Sequence, residues 1–143
     1  MSDDTLADEV WRTMAALVID NRDGWKREVV EATGLPFSRI RILMRLSRRP
    51  MTVKQIACAA TIDAPAATVA VNDLEERGLA VRRIDPDDRR AKVVSLTPAG
   101  CEMVRVIDAV SDPAPAALAG LGGAELRTLR DILSRVAAGE RAR

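Results

Sequence analysis

Six basic side chains, Arg39, Arg41, Arg45, Arg48, Arg49 and Lys54, lie between residues 35 and 62, where no acidic residue occurs. The chemistry open to such a run is anion binding. Clustered positive charge attracts phosphate and gains free energy by releasing the counterions condensed on it. The bland alternative is a solvated helix face. More cations follow at Arg82, Arg83, Arg89, Arg90 and Lys92, so residues 35–100 hold twelve basic and seven acidic side chains. Residues 1–34 hold four basic and eight acidic ones, and residues 101–143 hold six of each. The formal net charge is only +1, so the information lies in the distribution rather than the total.

Covalent chemistry has much less to work with. Histidine and tyrosine are both absent. That removes serine–histidine and cysteine–histidine nucleophile pairs and most zinc sites. The remaining acids and bases form no recognisable catalytic constellation, so no enzyme activity, metal or cofactor is expected. Asp85, Asp87 and Asp88 read as turn formers. The glycines at 120–123 follow a helix rather than a strand and make no phosphate loop. Cys58 and Cys101 are expected to pack as small apolar side chains, the alternative for Cys101, in a first helical turn, being a reactive thiol. Two cysteines make no disulfide framework. No window approaches the roughly 18 apolar residues that suggest a membrane span. The acidic start resembles no secretory or transit signal. The expected compartment is the cytoplasm.

Helices must position these groups, because the composition is 48% hydrophobic but only 2% aromatic. A core built from Ala, Leu, Val, Ile and Met favours helix. Leu6, Val10, Met14 and Leu17 recur at helical spacing and predict a first helix over 5–19, continuing to about Thr33 with a weak point at 20–24. Gly34 stops it. A second helix is expected over 37–48, burying Phe37, Ile40, Leu43 and Met44 and ending at Pro50. Thr52 and Gln55 read as a capping box that opens a helix over 53–60. Its apolar residues are Val53, Ile56, Ala57 and Ala60.

A turn at 61–63 leads to a helix over 64–77, with Ala67, Val71 and Leu74 inward and Gly78 just past its end. Two short helices joined by a tight turn make a helix-turn-helix. Residues 79–85 and 91–97 read as strands flanking a turn that carries Arg89 and Arg90, which is a hairpin wing. Thr97 and Pro98 start a helix reaching about Val110. Cys101, Val104 and Ile107 share its turn spacing, and Pro113 and Pro115 break it. A last amphipathic helix is expected over 123–138, with a frayed tail beyond. The fold class is mainly α with a small β-hairpin wing (α+β), a winged helix-turn-helix with terminal helices. The divisions are 1–34, an N-terminal helical arm; 35–97, the winged helix-turn-helix lobe; and 98–143, C-terminal helices.

Within this order, the segment LEERGLAVRRIDPDDRRAKVVSLTPAG at 74–100 resembles the MarR family (multiple-antibiotic-resistance regulators). The matching anchors are Leu74, Glu75, Gly78 and Leu79, then Asp85, Asp88 and Arg90, then Leu96, Thr97 and Gly100. The resemblance implies a homodimer in which residues 1–34 and 98–143 are dimerisation helices that interdigitate, and residues 35–97 are the DNA-binding lobe that each chain presents to double-stranded DNA. It implies a sequence-specific transcriptional regulator, for the most part a repressor, released by a small aromatic or anionic effector bound between the arms and the lobe. Trp25 and Met44 are the expected effector-pocket residues.

Helix 64–77 would lie in the major groove, where base pairs are distinguishable. Thr68, Asn72 and Asp73 are its expected base readers, and Ala66 or Val69 would touch thymine methyls. Arg48, Arg49, Arg82, Arg83 and Lys92 would add affinity. Arg89 or Arg90 at the wing tip would enter the minor groove, with Asp88 as the brace of a wing arginine. One departure matters. Many family members carry an arginine near the position of Val69, and this helix is poor in polar residues. The alternative reading is therefore a winged-helix protein-interaction module with weak or no specific DNA binding.

Overall fold

The computed structural model describes residues 2–142. Eight helices and three short strands follow in the order α1 (Asp3–Asn21), α2 (Asp23–Thr33), α3 (Phe37–Leu46), β1 (Met51–Thr52), α4 (Val53–Ala60), α5 (Ala64–Glu76), β2 (Ala80–Ile84), β3 (Lys92–Leu96), α6 (Pro98–Ala109), α7 (Ala116–Ala119) and α8 (Gly123–Arg141). They form two compact units, the first ending at Ser111 and the second starting at Asp112.

In the first unit, α1 and α2 are separated at Arg22, within the expected weak point. Gly34 takes the left-handed conformation (φ 70°) and its N–H bonds to the Val30 carbonyl, which ends α2 cleanly. The core joins Val29 of α2, Ile40, Ile42 and Leu43 of α3, Ile56 of α4, Val71 and Leu74 of α5, Val94 of β3 and Ile107 of α6. The expected face of α3 is therefore wider than a single stripe. Ile42 and Leu46 are buried too, while Phe37 and Met44 sit half-buried at its margin.

The sheet is antiparallel in the order β1-β3-β2. The hairpin pairs Ala80 with Leu96 and Ile84 with Lys92. Strand β1, pairing Met51 with Val94 and Thr52 with Val93, was not expected. Two residues are too few to show a period, and Thr52 also carries the cap of α4. That capping box is present as expected: Gln55 N–H donates to Thr52 Oγ1 and Thr52 N–H donates to Gln55 Oε1.

Cys58 and Cys101 correct the expectation of packing, since both are exposed. Helix α4 buries Ile56 and Ala57, and one further step of about 100° carries Cys58 off that face. Helix α6 buries Gly100, Val104 and Ile107, which likewise turns Cys101 outward.

The second unit holds the unexpected short helix α7, begun after Pro115, and α8. Helix α8 continues through Arg141 instead of fraying after 138. Arg141 in its last turn favours the helix, since a cation there meets the negative end of the dipole. Among the described residues, neither α1 nor α8 contains a buried side chain.

Candidate nucleic-acid interface

Helices α4 and α5 meet through a tight turn. Thr61 caps α4 in the left-handed region (φ 54°), where its N–H bonds to Ala57 and Cys58 carbonyls. Asp63 then caps α5, its Oδ1 accepting from the Ala66 N–H at 2.7 Å, and Pro65 occupies the first turn. Helix α5 buries Ala67, Ala70, Val71 and Leu74. The small Ala67 and Ala70 let α5 lie close to its neighbours. Ala66, Thr68, Val69 and Asn72 are exposed on the other side, and Asp73 is half-buried at the edge.

Most polar groups of this helix have intramolecular partners. Thr68 Oγ1 donates to the Ala64 carbonyl at 3.0 Å. Asn72 Oδ1 accepts from a terminal guanidinium nitrogen of Arg82. The Nε of Arg82 also lies 2.5 Å from Glu75 Oε1. The Asp73 carboxylate takes Arg39 on Oδ2 at 2.9 Å and Arg77 on Oδ1 at 3.1 Å. These hydrogen bonds, Arg39 first and then Arg77, hold Asp73 below the usual carboxylate range, against a smaller opposing effect of desolvation.

The hairpin tip is tied to itself. Asp85 Oδ1 accepts from the Asp87 N–H at 2.9 Å, and Asp88 Oδ1 accepts from the Arg90 N–H at 3.0 Å. Main-chain bonds from Ala91 to Asp88 and from Asp85 to Ala91 close the loop. Asp88 thus holds the main chain of Arg90 rather than its guanidinium. Arg83, Arg89, Arg90 and Lys92 are exposed. The wing stands on a junction built from the motif residues 78–100. Thr97 Oγ1 donates to the Gly78 carbonyl at 2.6 Å and accepts from the Gly100 N–H at 3.0 Å. A Cβ on Gly100 would lie 2.0 Å from the Leu79 carbonyl oxygen, so only glycine fits there.

Trp25 and Met44 line one open cleft of about 370 Å³, together with Val18, Ile19, Arg22, Lys26, Phe37, Arg41, Arg45 and Arg48. Trp25 and Phe37 meet edge to face with centroids 5.8 Å apart. The Arg22 guanidinium lies 4.0 Å from the Trp25 ring centre, and Lys26 Nζ lies 5.1 Å from that of Phe37. The lining holds five cations and no carboxylate. Burial, and then the charges of Arg41 and Arg48, push the pKa of Arg45 below the usual arginine range. Arg48, expected beside DNA, therefore lines this cleft, while Arg49 is exposed just before β1.

Sequence reasoning missed Arg39, Arg77 and Glu75 as partners of the α5 surface, and Arg22, Lys26, Phe37, Arg41 and Arg45 as cleft residues. For Arg77 a signal existed, since it stands four residues after Asp73. The link from Arg39 to Asp73 spans 34 positions and left no local trace. Among the described residues no cluster of cysteine or carboxylate side chains could hold a metal.

Residues 33–91 match the model of the MarR family. A putative transcriptional regulatory protein for the hcr operon of Thauera aromatica is 37% identical over 82 residues, which is 57% of this chain. The match covers 49% of that protein, so the chain spans about half the length of this curated relative. Among solved structures, the transcriptional regulator BldR of Sulfolobus solfataricus superposes with a TM-score of 0.63 at 25% identity, over 94% of this chain and 99% of that one. A MepR variant from S. aureus, bound to an oligodeoxyribonucleotide, superposes with a TM-score of 0.57 at 20% identity, over 93% of this chain and 96% of that one.

Proposed function

We propose that the chain, whose residues 33–91 match the MarR family model, is a MarR-type regulator: a homodimeric, sequence-specific DNA-binding protein that represses transcription until a small anionic effector binds. The observation that carries this is the pairing of an exposed α5 surface with a pre-shaped, arginine-tipped hairpin on one rigid lobe. The likeness to a MepR structure that holds an oligodeoxyribonucleotide supports the same use of the lobe.

In this reading α5 enters the major groove with Ala66, Thr68, Val69 and Asn72 facing the bases, and Asp73 fixes the helix through Arg39 and Arg77. Arg89 and Arg90 enter the minor groove, with Asp88 holding the Arg90 main chain. Arg49, Arg82, Arg83 and Lys92 meet phosphates. Residues 1–34 and 98–143 supply the dimerisation arms. A twofold dimer calls for half-sites about one helical turn apart. The five cations and two aromatic rings of the cleft suit a flat carboxylate, which would offset the mutual repulsion of Arg41, Arg45 and Arg48. A regulator of this kind works in the cytoplasm. No described helix is long and apolar enough to cross a membrane.

The test is a salt titration of DNA binding. Arg90→Ala is expected to weaken binding to all sequences and to lower the slope of log affinity against log salt by about 0.9 per hairpin, one phosphate's worth of counterions. Unchanged affinity and slope would remove the wing from the interface. The methyl-rich surface of α5 favours one competing reading, a protein-interaction module. That reading predicts no enriched sequence after unbiased selection of bound DNA.

A further inference from the structure

The exposed face of α5 has lost most of its hydrogen-bonding capacity before any ligand arrives. A side chain reads adenine bidentately by offering a carbonyl oxygen and an amide nitrogen together. The carbonyl oxygen of Asn72 is held by Arg82, and Arg82 is held in turn by Glu75. Both oxygens of Asp73 carry arginines, so it cannot accept freely from cytosine. The Thr68 proton points back to Ala64. Apart from the Asn72 amide nitrogen and the Thr68 oxygen, what the helix still presents outward is hydrocarbon. Buried residues 67, 70, 71 and 74 define one side, and at about 100° per residue Pro65, Val69 and Asn72 centre the opposite one. Val69 is 60% exposed there, with no structural partner to explain a branched apolar side chain on an outward surface.

We propose that α5 selects DNA by the C5-methyl group of a pyrimidine in the major groove, with Val69 as the specificity-determining residue. The Asn72–Arg82–Glu75 chain is a positioning unit that keeps the amide from competing for that base. The fitting substrate is duplex DNA with thymine at one fixed place in each half-site. The C5-methyl is the major-groove feature that apolar side chains can read on thymine. A 5-methylcytosine presents the same group and would be accepted in place of thymine more readily than plain cytosine. The inference rests on the reading that α5 enters the major groove, and the experiment separates the two.

The site recovered by unbiased selection is resynthesised with each thymine replaced in turn by uracil, which removes only the methyl and leaves the base-pairing edge intact. At one thymine per half-site, uracil is expected to lower affinity about fourfold, the worth of one buried methyl-sized group, while other positions stay silent. Val69→Ala is expected to abolish that penalty, so that the thymine and uracil forms of the site bind alike. Val69 is exposed, and the DNA-side substitution needs no variant at all, so neither result depends on a fragile fold. Sequence-selective binding with no uracil penalty anywhere overturns the proposal but leaves the DNA-binding reading standing. A uracil penalty that persists in Val69→Ala overturns the assignment to Val69. Selection that enriches no sequence overturns both.

Discussion

At Gly100 a missing side chain decides how the wing joins the rest of the lobe. The Leu79 carbonyl oxygen occupies the place of a Cβ, and this is the same carbonyl that accepts the Thr97 N–H. Gly100→Ala must push main chain against main chain, which no rotamer change relieves. It is expected to destabilise the protein by about 3 kcal/mol, the upper part of the usual overpacking range. Thermal unfolding of the variant beside the parent checks it. Gly78, Leu79, Leu96, Thr97 and Gly100 were read from the sequence as family anchors, and here Thr97, Gly78 and Gly100 work as a clasp between the end of α5, the hairpin and α6. Only the part of the motif at Asp85, Asp88 and Arg90 shapes the tip. A pattern of residue types does not by itself tell a clasp from a contact surface, because both favour Gly, Thr and Asp.

At the scale of elements, Asp73 ties α3 to α5 through Arg39, and α3 also forms a wall of the cleft through Phe37, Arg41 and Met44. Because the arginines lower the folded-state pKa of Asp73, this carboxylate stabilises the fold fully at pH values above its unfolded pKa of about 3.9. The contribution is lost as pH falls through the lower folded value. Asp73→Asn is therefore expected to reduce stability at neutral pH and to flatten that part of the acid-unfolding curve. Denaturant melts of both proteins between neutral pH and the carboxylate range check the sign, and a parallel pH dependence in the two would remove Asp73 from the balance.

The local devices were legible in the sequence. The Thr52–Gln55 box, Gly34, and the Thr97–Pro98 start all appear where a short-range rule places them. Longer reach defeated that approach. Strand β1 exists only because β3 lies beside it, and Asp73 turned from base reader to strut because an arginine 34 residues away arrives next to it. The cysteines failed for a geometric reason. In helices this short, one residue of phase separates core from solvent.

For the whole molecule, the surface that most needs explanation is apolar. Helix α1 exposes Leu6, Val10, Trp11, Leu17, Val18 and Ile19, and α8 exposes Ile132, Leu133 and Val136. On each helix taken by itself, exposed apolar side chains in such number mark an association site, and the dimer proposed above would cover both. Leu133→Glu is expected to shift the protein from dimer to monomer in light scattering and to cost most of its operator affinity, because two weakly held half-sites no longer act together. A variant that stays dimeric would clear α8 of that role.

The two tryptophans fall on opposite sides of this division of labour. Trp11 is 67% exposed on the apolar surface of α1, while Trp25 sits in the cationic cleft beneath Arg22. With no tyrosine in the chain, these indoles alone emit when the protein is excited in the near ultraviolet. Under the proposed dimer and effector site, the first indole would report assembly and the second cleft occupancy. Replacing either with phenylalanine leaves the other to be watched without a dye.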